Sequence, residues 1–191
     1  MALTRLGPNQ LINLANNVTG ALPVANGGTA LTSGFVNGGG LTMANQWRLT
    51  ADFNNNADPI ASNWEVCDTH GYISLGSNMT ESSGIFTFPA TGIYYIEFHS
   101  THVAAAIDGL MDIVINTTTD NSSYNVIARK SFGISRASDY MEASTSTMFD
   151  VTNTTNCKVS FSIASVSSDT TTRGHGGQNE TFVTIIRLGD T

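Results

Sequence analysis

Apolar and polar positions alternate most clearly between Gly84 and His99, where Ile85-Phe86-Thr87-Phe88 and Ile93-Tyr94-Tyr95-Ile96-Glu97-Phe98 flank Pro89-Ala90-Thr91-Gly92. Successive side chains of a strand point to opposite faces, so Tyr94, Ile96 and Phe98 share one face, expected to be core, and Ile93, Tyr95, Glu97 and His99 share the other. That second face mixes large apolar groups with polar ones and suits a surface covered by another subunit. Ile93 and Tyr95 are the expected contacts there. Pro89 lacks an N–H and Gly92 tolerates positive φ, so the segment between the runs predicts a tight antiparallel connection.

The same alternation predicts about ten strands from Gln46 onward, at 46–53, 62–68, 70–76, 84–89, 92–103, 109–117, 124–131, 139–151, 156–166 and 180–189. In the ninth, Val159, Phe161 and Ile163 alternate with Lys158, Ser160 and Ser162, which assigns Phe161 to the core. In the last, Phe182, Thr184, Ile186 and Leu188 alternate with Thr181, Val183, Ile185 and Arg187, and the phase containing Phe182 is taken as the core phase. Two sheets packed face to face fit this pattern better than one. Thr117–Ser123 and Ser167–Gln178 read as loops. The second is Gly-rich around Arg173 and His175, which makes those two residues candidates for ligand contact.

Residues 1–46 follow a different pattern. Gly27-Gly28 and Gly38-Gly39-Gly40 break the chain, and apolar residues stand singly. Leu11, Ile12, Leu14, Leu22 and Val24 have no core of their own to enter, so the expectation is an extended arm anchoring the chain to another protein, followed by a globular domain over 47–191.

Composition narrows the function. Only 12% of residues are charged while Thr, Ser, Asn and Gly abound, which favours strands and turns over helices. A net charge of −7, with no basic run longer than Arg129-Lys130, argues against a nucleic-acid partner. No apolar stretch approaches the ~20 residues of a membrane helix, and the first residues hold no continuous apolar run, so neither membrane insertion nor classical export is expected. Cys67 and Cys157 lie on separate expected strands and are read as buried thiols rather than a bridge. Six Asn-x-Ser/Thr triplets reflect an Asn-, Ser- and Thr-rich composition rather than glycosylation.

Candidate chemistry is sparse. His99 and His102 are three apart on one strand and point to opposite faces, so they cannot ligate one ion, and His70 and His175 lie elsewhere. Asp108, Asp112, Asp120 and Asp139 lack the spacing of a calcium loop. No nucleophile elbow, H-E-x-x-H pair or phosphate-cradling loop occurs, and the glutamates are scattered. No catalytic residue, cofactor or metal is assigned, and an enzyme is not expected.

Two resemblances add to this reading. Val18-Thr19-Gly20-Ala21-Leu22-Pro23-Val24-Ala25-Asn26-Gly27-Gly28-Thr29 resembles a segment of bacteriophage tail-fibre and related virion proteins. Ile85–Pro89 followed by Gly92–His99 resembles the signature of C1q-like domains, within the wider C1q and tumour-necrosis-factor jelly-roll class, and Glu180–Leu188 is similar to that family's last strand. The chain departs from the family at Thr155-Asn156-Cys157, where Gly-Asp is usual. These resemblances imply a ten-stranded jelly-roll sandwich that forms a homotrimer and acts by binding. They also imply a virion protein, made in the host cytoplasm, whose head meets a host-surface glycan or protein and whose arm holds it to the other virion proteins. The alternative is a trimeric capsid decoration or cement protein.

Overall fold

In the computed structural model, which describes residues 40–191, alternation becomes a two-sheet β-sandwich jelly roll, with no helix among the described residues. Twelve strands follow in order: β1 (Met43–Leu49), β2 (Phe53–Asn54), β3 (Trp64–Val66), β4 (Thr80–Ser82), β5 (Ile85–Thr87), β6 (Gly92–Ala104), β7 (Asp108–Thr118), β8 (Asn125–Ile134), β9 (Tyr140–Val151), β10 (Lys158–Ala164), β11 (Thr170–Thr172) and β12 (Phe182–Gly189). All ladders are antiparallel.

The thirteen residues of β6 organise the first sheet. Its length lets it take two neighbours in succession along one side, β12 against Ile93–His99 and β11 against His102–Ala104, while β9 runs along the other side. Beyond β12 come β1 and then β3, and β2 lies beyond β11. The second sheet has the order β4-β5-β10-β7-β8. Gly92 opens β6 with φ +143, and a Cβ there would lie 2.5 Å from the Gly189 carbonyl oxygen, so only glycine allows β6 and the end of β12 to approach this closely.

Tyr94, Ile96, Phe98 and Phe161 are fully buried between the sheets. Phe86 of β5 sits at the centre of an aromatic cluster, edge-on to Trp47 and Trp64 with centroids 5.4 Å away and to Phe161 at 5.3 Å. Phe161 in turn meets Phe98 at 5.2 Å. Phe86 and Phe161 belong to one sheet and Trp47, Trp64 and Phe98 to the other, so all of these contacts but Phe86–Phe161 join the layers, each adding ~0.5–1.5 kcal/mol beyond burial.

Phe182 departs from expectation. It is half-buried on the outer face of β12, its ring stacked on His99 with centroids 4.9 Å apart, while Thr181, Val183 and Ile185 turn inward. Both phases of this strand carry large apolar residues, so alternation alone could not choose between them. Other differences are smaller. The first strand begins at Met43, the stretch 70–76 contributes only a bridge between Leu75 and Ala44, and the expected loop 167–178 contains β11. Cys67 and Cys157 are buried free thiols. Leu11, Ile12, Leu14, Leu22 and Val24 lie outside the described residues.

Because Phe98 is enclosed and Phe182 is not, Phe98→Ala should destabilise the domain by ~3–5 kcal/mol, and Phe182→Ala by much less. Denaturant unfolding of the two variants checks this, and a larger loss at Phe182 would place the core on the other face of the sheet.

Candidate functional site

The outer face of the first sheet is built from residues in register. Tyr95 on β6 is paired with Met148 on β9 and with Ile186 on β12, Ile186 with Ala44 on β1, and Ala44 bridges Leu75. Since paired residues share a face, these five form an apolar row across the sheet. Ile73, 86% exposed, stands at one end and Met148, 62% exposed, at the other. Between Ile73, Leu75, Tyr72 and Ile186 lies a hollow of about 210 Å³. The next row is polar, Ser146, Glu97, Thr184 and Gln46, and the one after it holds Ser144, His99, Phe182 and Arg48. Ile93 lies on this same face, one pair further along β6 from Tyr95.

Arg48 is 2% exposed although it points outward, because Glu65 and Asp68 enclose it. Its Nε donates to Glu65 at 2.9 Å and its Nη2 to Asp68 at 2.8 Å, while Nη1 donates to Thr69. The guanidinium ties β1 to β3 and to the turn after it.

Further apolar residues are exposed along the sheet edges. β8 is an open edge of the second sheet and β9 an open edge of the first, and the two run beside each other. Tyr124, Val126 and Ile127 near the start of β8 lie at one end, and Tyr140 and Met141 at the start of β9 lie at the other, and all five are exposed. The ladder between β7 and β8 shifts register at Ala128 and Val126, leaving Ile127 as the extra residue of a bulge.

The connection from Arg173 to Glu180 is held down at several points. Arg173 pairs with Asp52 and lies 3.4 Å from Glu180. The His175 N–H donates to the Leu49 carbonyl, and His175 Nδ1 accepts the Gly177 N–H. The charge of Arg173 is shared between two carboxylates, and His175 is anchored at its main chain and at Nδ1 while its side chain stays exposed.

Among the described residues the interior holds a constellation that resembles catalytic chemistry. Ser100 Oγ lies 2.9 Å from His102 Nε2, and His102 Nδ1 lies 3.3 Å from Thr172 Oγ1. All three residues have no exposed surface, so no substrate reaches them. The nearby carboxylate, Asp108, accepts from the Thr170 hydroxyl and the Ser167 N–H rather than from the ring. Burial alone would raise its pKa, but these donors outweigh it and hold the carboxyl below the usual range. Burial pushes the His102 imidazole down to about 4, against the opposing pull of Asp108.

The remaining candidates are separately engaged. His99 faces out beside Glu142 at 3.9 Å and His102 faces in, as strand geometry requires. Asp112 accepts from the Ser131 and Ser165 hydroxyls, and Asp139 sits 3.8 Å from Arg136. The Asp120 carboxyl is held far below the usual carboxylate range by the Ser123 and Ser122 N–H groups and the Thr118 hydroxyl, which is a turn-capping role. Among the described residues no three His, Cys, Asp or Glu side chains converge where a metal ion could be held. The apolar row itself was hidden from the sequence, because Met148, Ile186, Ala44 and Leu75 meet only through cross-strand register.

Comparison with known proteins gives the fold a wider setting. No protein-family model matches the chain, and no curated protein matches it. Among solved structures, murine APRIL is similar at 14% identity over 76% of this chain and 98% of its own, with a TM-score of 0.54. The Eiger TNF of S. frugiperda is similar at 12% identity over 80% of this chain and 96% of its own, with a TM-score of 0.59. At these identities the likeness establishes the tumour-necrosis-factor-like jelly roll and leaves the surfaces to be read from this chain.

The enclosed Arg48 yields an asymmetric expectation. Neutralising both carboxylates, as in Glu65→Gln with Asp68→Asn, keeps oxygen acceptors but removes the charge that offsets the enclosed guanidinium, and should cost ~1–3 kcal/mol. Arg48→Met keeps the stem volume and leaves carboxylates that reach water, so its loss should be clearly smaller. Thermal unfolding of the two variants decides the order.

Proposed function

We propose that the chain works without catalysis, as the homotrimeric binding head of a virion protein. The observation that supports this is the apolar row through Tyr95 and Ile186 on the outer face of the first sheet, together with the unlike β8–β9 edge, which exposes Val126 and Ile127 at one end and Tyr140 at the other. A twofold dimer buries the same patch on both copies, whereas two different patches joined head to tail are all covered when a ring closes. Three copies is the number implied by the C1q-like resemblance. In such a ring Ile93 and Tyr95 meet the neighbour's edge, at junctions of the order of 2,000 Å² or more.

The virion setting rests on the segment Val18–Thr29, and the anchoring role on Leu11, Ile12, Leu14, Leu22 and Val24. Recognition of a host-surface glycan or protein then falls to loops at the ends of the sandwich. The reading as a capsid decoration or cement protein draws support from reach: 46 residues at ~3.3 Å each extend at most about 150 Å, which is short for a fibre.

Light scattering should report three copies of the 20.2 kDa chain, about 61 kDa. Tyr95→Asp with Ile186→Asp, which puts charge in the apolar row, should give a folded monomer. A monomeric wild-type protein at micromolar concentration would remove the trimer. A second test addresses anchoring: particles from cells making only residues 41–191 should lack the head, and normal occupancy would favour a clamp gripping through the head itself.

A further inference from the structure

The hydroxyl network around His102 ties down both ends of one connection. Thr172, at the end of β11, meets Nδ1. Thr181, just before β12, meets Ser100 Oγ at 3.2 Å, and Ser100 meets Nε2. The neighbouring main chain repeats the arrangement: the Arg173 N–H donates to the Thr101 carbonyl, the Thr101 hydroxyl donates to the Glu180 carbonyl, and the Thr101 N–H donates to Thr181 Oγ1. Residues 173–180 therefore leave and rejoin the sandwich at the same three residues of β6. We infer that His102 is an acid-operated latch, and that its protonation releases the 173–180 connection while the two sheets stay folded.

The chemistry follows from the number of protons the network can accommodate. In the neutral ring one nitrogen donates and the other accepts, so hydroxyl protons run in one direction along Thr181, Ser100, His102 and Thr172. A doubly protonated ring donates at both nitrogens. Whichever direction held before, one hydroxyl next to the ring must then turn round, and a cation is left in a site with no exposed surface. The charged groups around the ring do not relieve it. Asp108 of β7 is nearest in effect but is committed to Thr170 and Ser167. His99, on the opposite face of β6 beside Glu142 of β9, opposes a second positive charge. β8 contributes the Phe132 ring at 5.2 Å, and Lys130 on the same face of that strand is exposed to solvent. Met141 is the residue of β9 paired with His102. Arg173 and Glu180 are occupied with each other and with Asp52.

Opening the connection lets water reach the ring and accept the proton there. The direction is set by the depressed native value: the closed form binds the proton near pH 4, an opened one near 6.5, so the opening equilibrium should rise about tenfold per pH unit as pH falls through that window. The connection carries Arg173 and His175, so the latch would govern how this surface is presented. The inference does not depend on the oligomeric state.

Hydrogen exchange of the full chain between pH 6.5 and 4.5, corrected for intrinsic rates, tests it. Peptides spanning 170–181 should lose protection by about 40-fold over those two units while β7 and β10 keep theirs. His102→Gln, which retains one donor and one acceptor without a titratable group, should abolish the change. Constant protection in the wild type, an equal rise in the variant, or loss only together with β7 and β10 would each overturn the latch. If the variant does not fold, imidazole NMR of the wild type decides. A His102 midpoint well below 6.5, toward the lower end of that window, supports the latch, and one near 6.5 overturns it.

Discussion

A strand with large apolar groups on both faces cannot satisfy both inside a two-layer sandwich. β6 is such a strand. Its inner face, Tyr94, Ile96 and Phe98, is sealed by the aromatic cluster around Phe86 and Phe161. Its outer face puts Tyr95, with Ile93 one pair further along, into a row with Met148 and Ile186 that nothing in the described chain covers completely. The fold of one copy is built on the first face, and the argument for association on the second. β6 can serve both because it lies within its sheet, where β9 and β12 hold its backbone in register whatever covers its outer side.

Toward its far end β6 changes character. After Phe98 the inward positions become Ser100 and His102, and the neighbours they meet are Thr172 and Thr181, all without exposed surface. The aromatic part of the core joins the sheets by dispersion and burial, which tolerate small changes of angle. The hydroxyl and imidazole part is directional, because each buried group must find a partner or carry the cost of an unmade hydrogen bond. One strand thus has an end that fixes the layers together and an end that fixes how β11 and β12 leave them.

The sheet class, the β6 alternation and the inward placement of Phe161 were legible in the sequence, because period-2 patterning with one clearly apolar phase has a single solution. Phe182 was misplaced because β12 offers two apolar phases, and the choice was made by tertiary context: Val183 and Ile185 fill the space between the sheets, and His99 gives Phe182 a stacking partner outside. β11 was read as loop because Thr170-Thr171-Thr172 lacks apolar residues, and its place depends on Asp108 and His102, more than sixty residues earlier in the chain. Arg173 and His175 read as loop candidates for ligand contact, and the partners that hold their connection down, Asp52 and Leu49, lie far earlier in the chain. Long-range partners of short polar side chains leave no periodic trace.

The open edges give the association argument its last step. β8 and β9 each present an unpaired row of backbone groups, and such edges pair with other chains unless protected. The bulge at Ile127 and the Arg129-Lys130 pair protect β8 in part. Exposed Val126 on β8 opposes that protection, and Tyr140 does the same at the far end of β9. A lone copy would expose both the edge and the apolar row, which is the arrangement that leads to open-ended association. In the proposed ring each row meets a neighbour's edge, and closure covers both. Charge inserted into the row should therefore do more than separate the copies: it removes the surface that an unmatched edge would otherwise find, so the separated copies stay in solution as monomers.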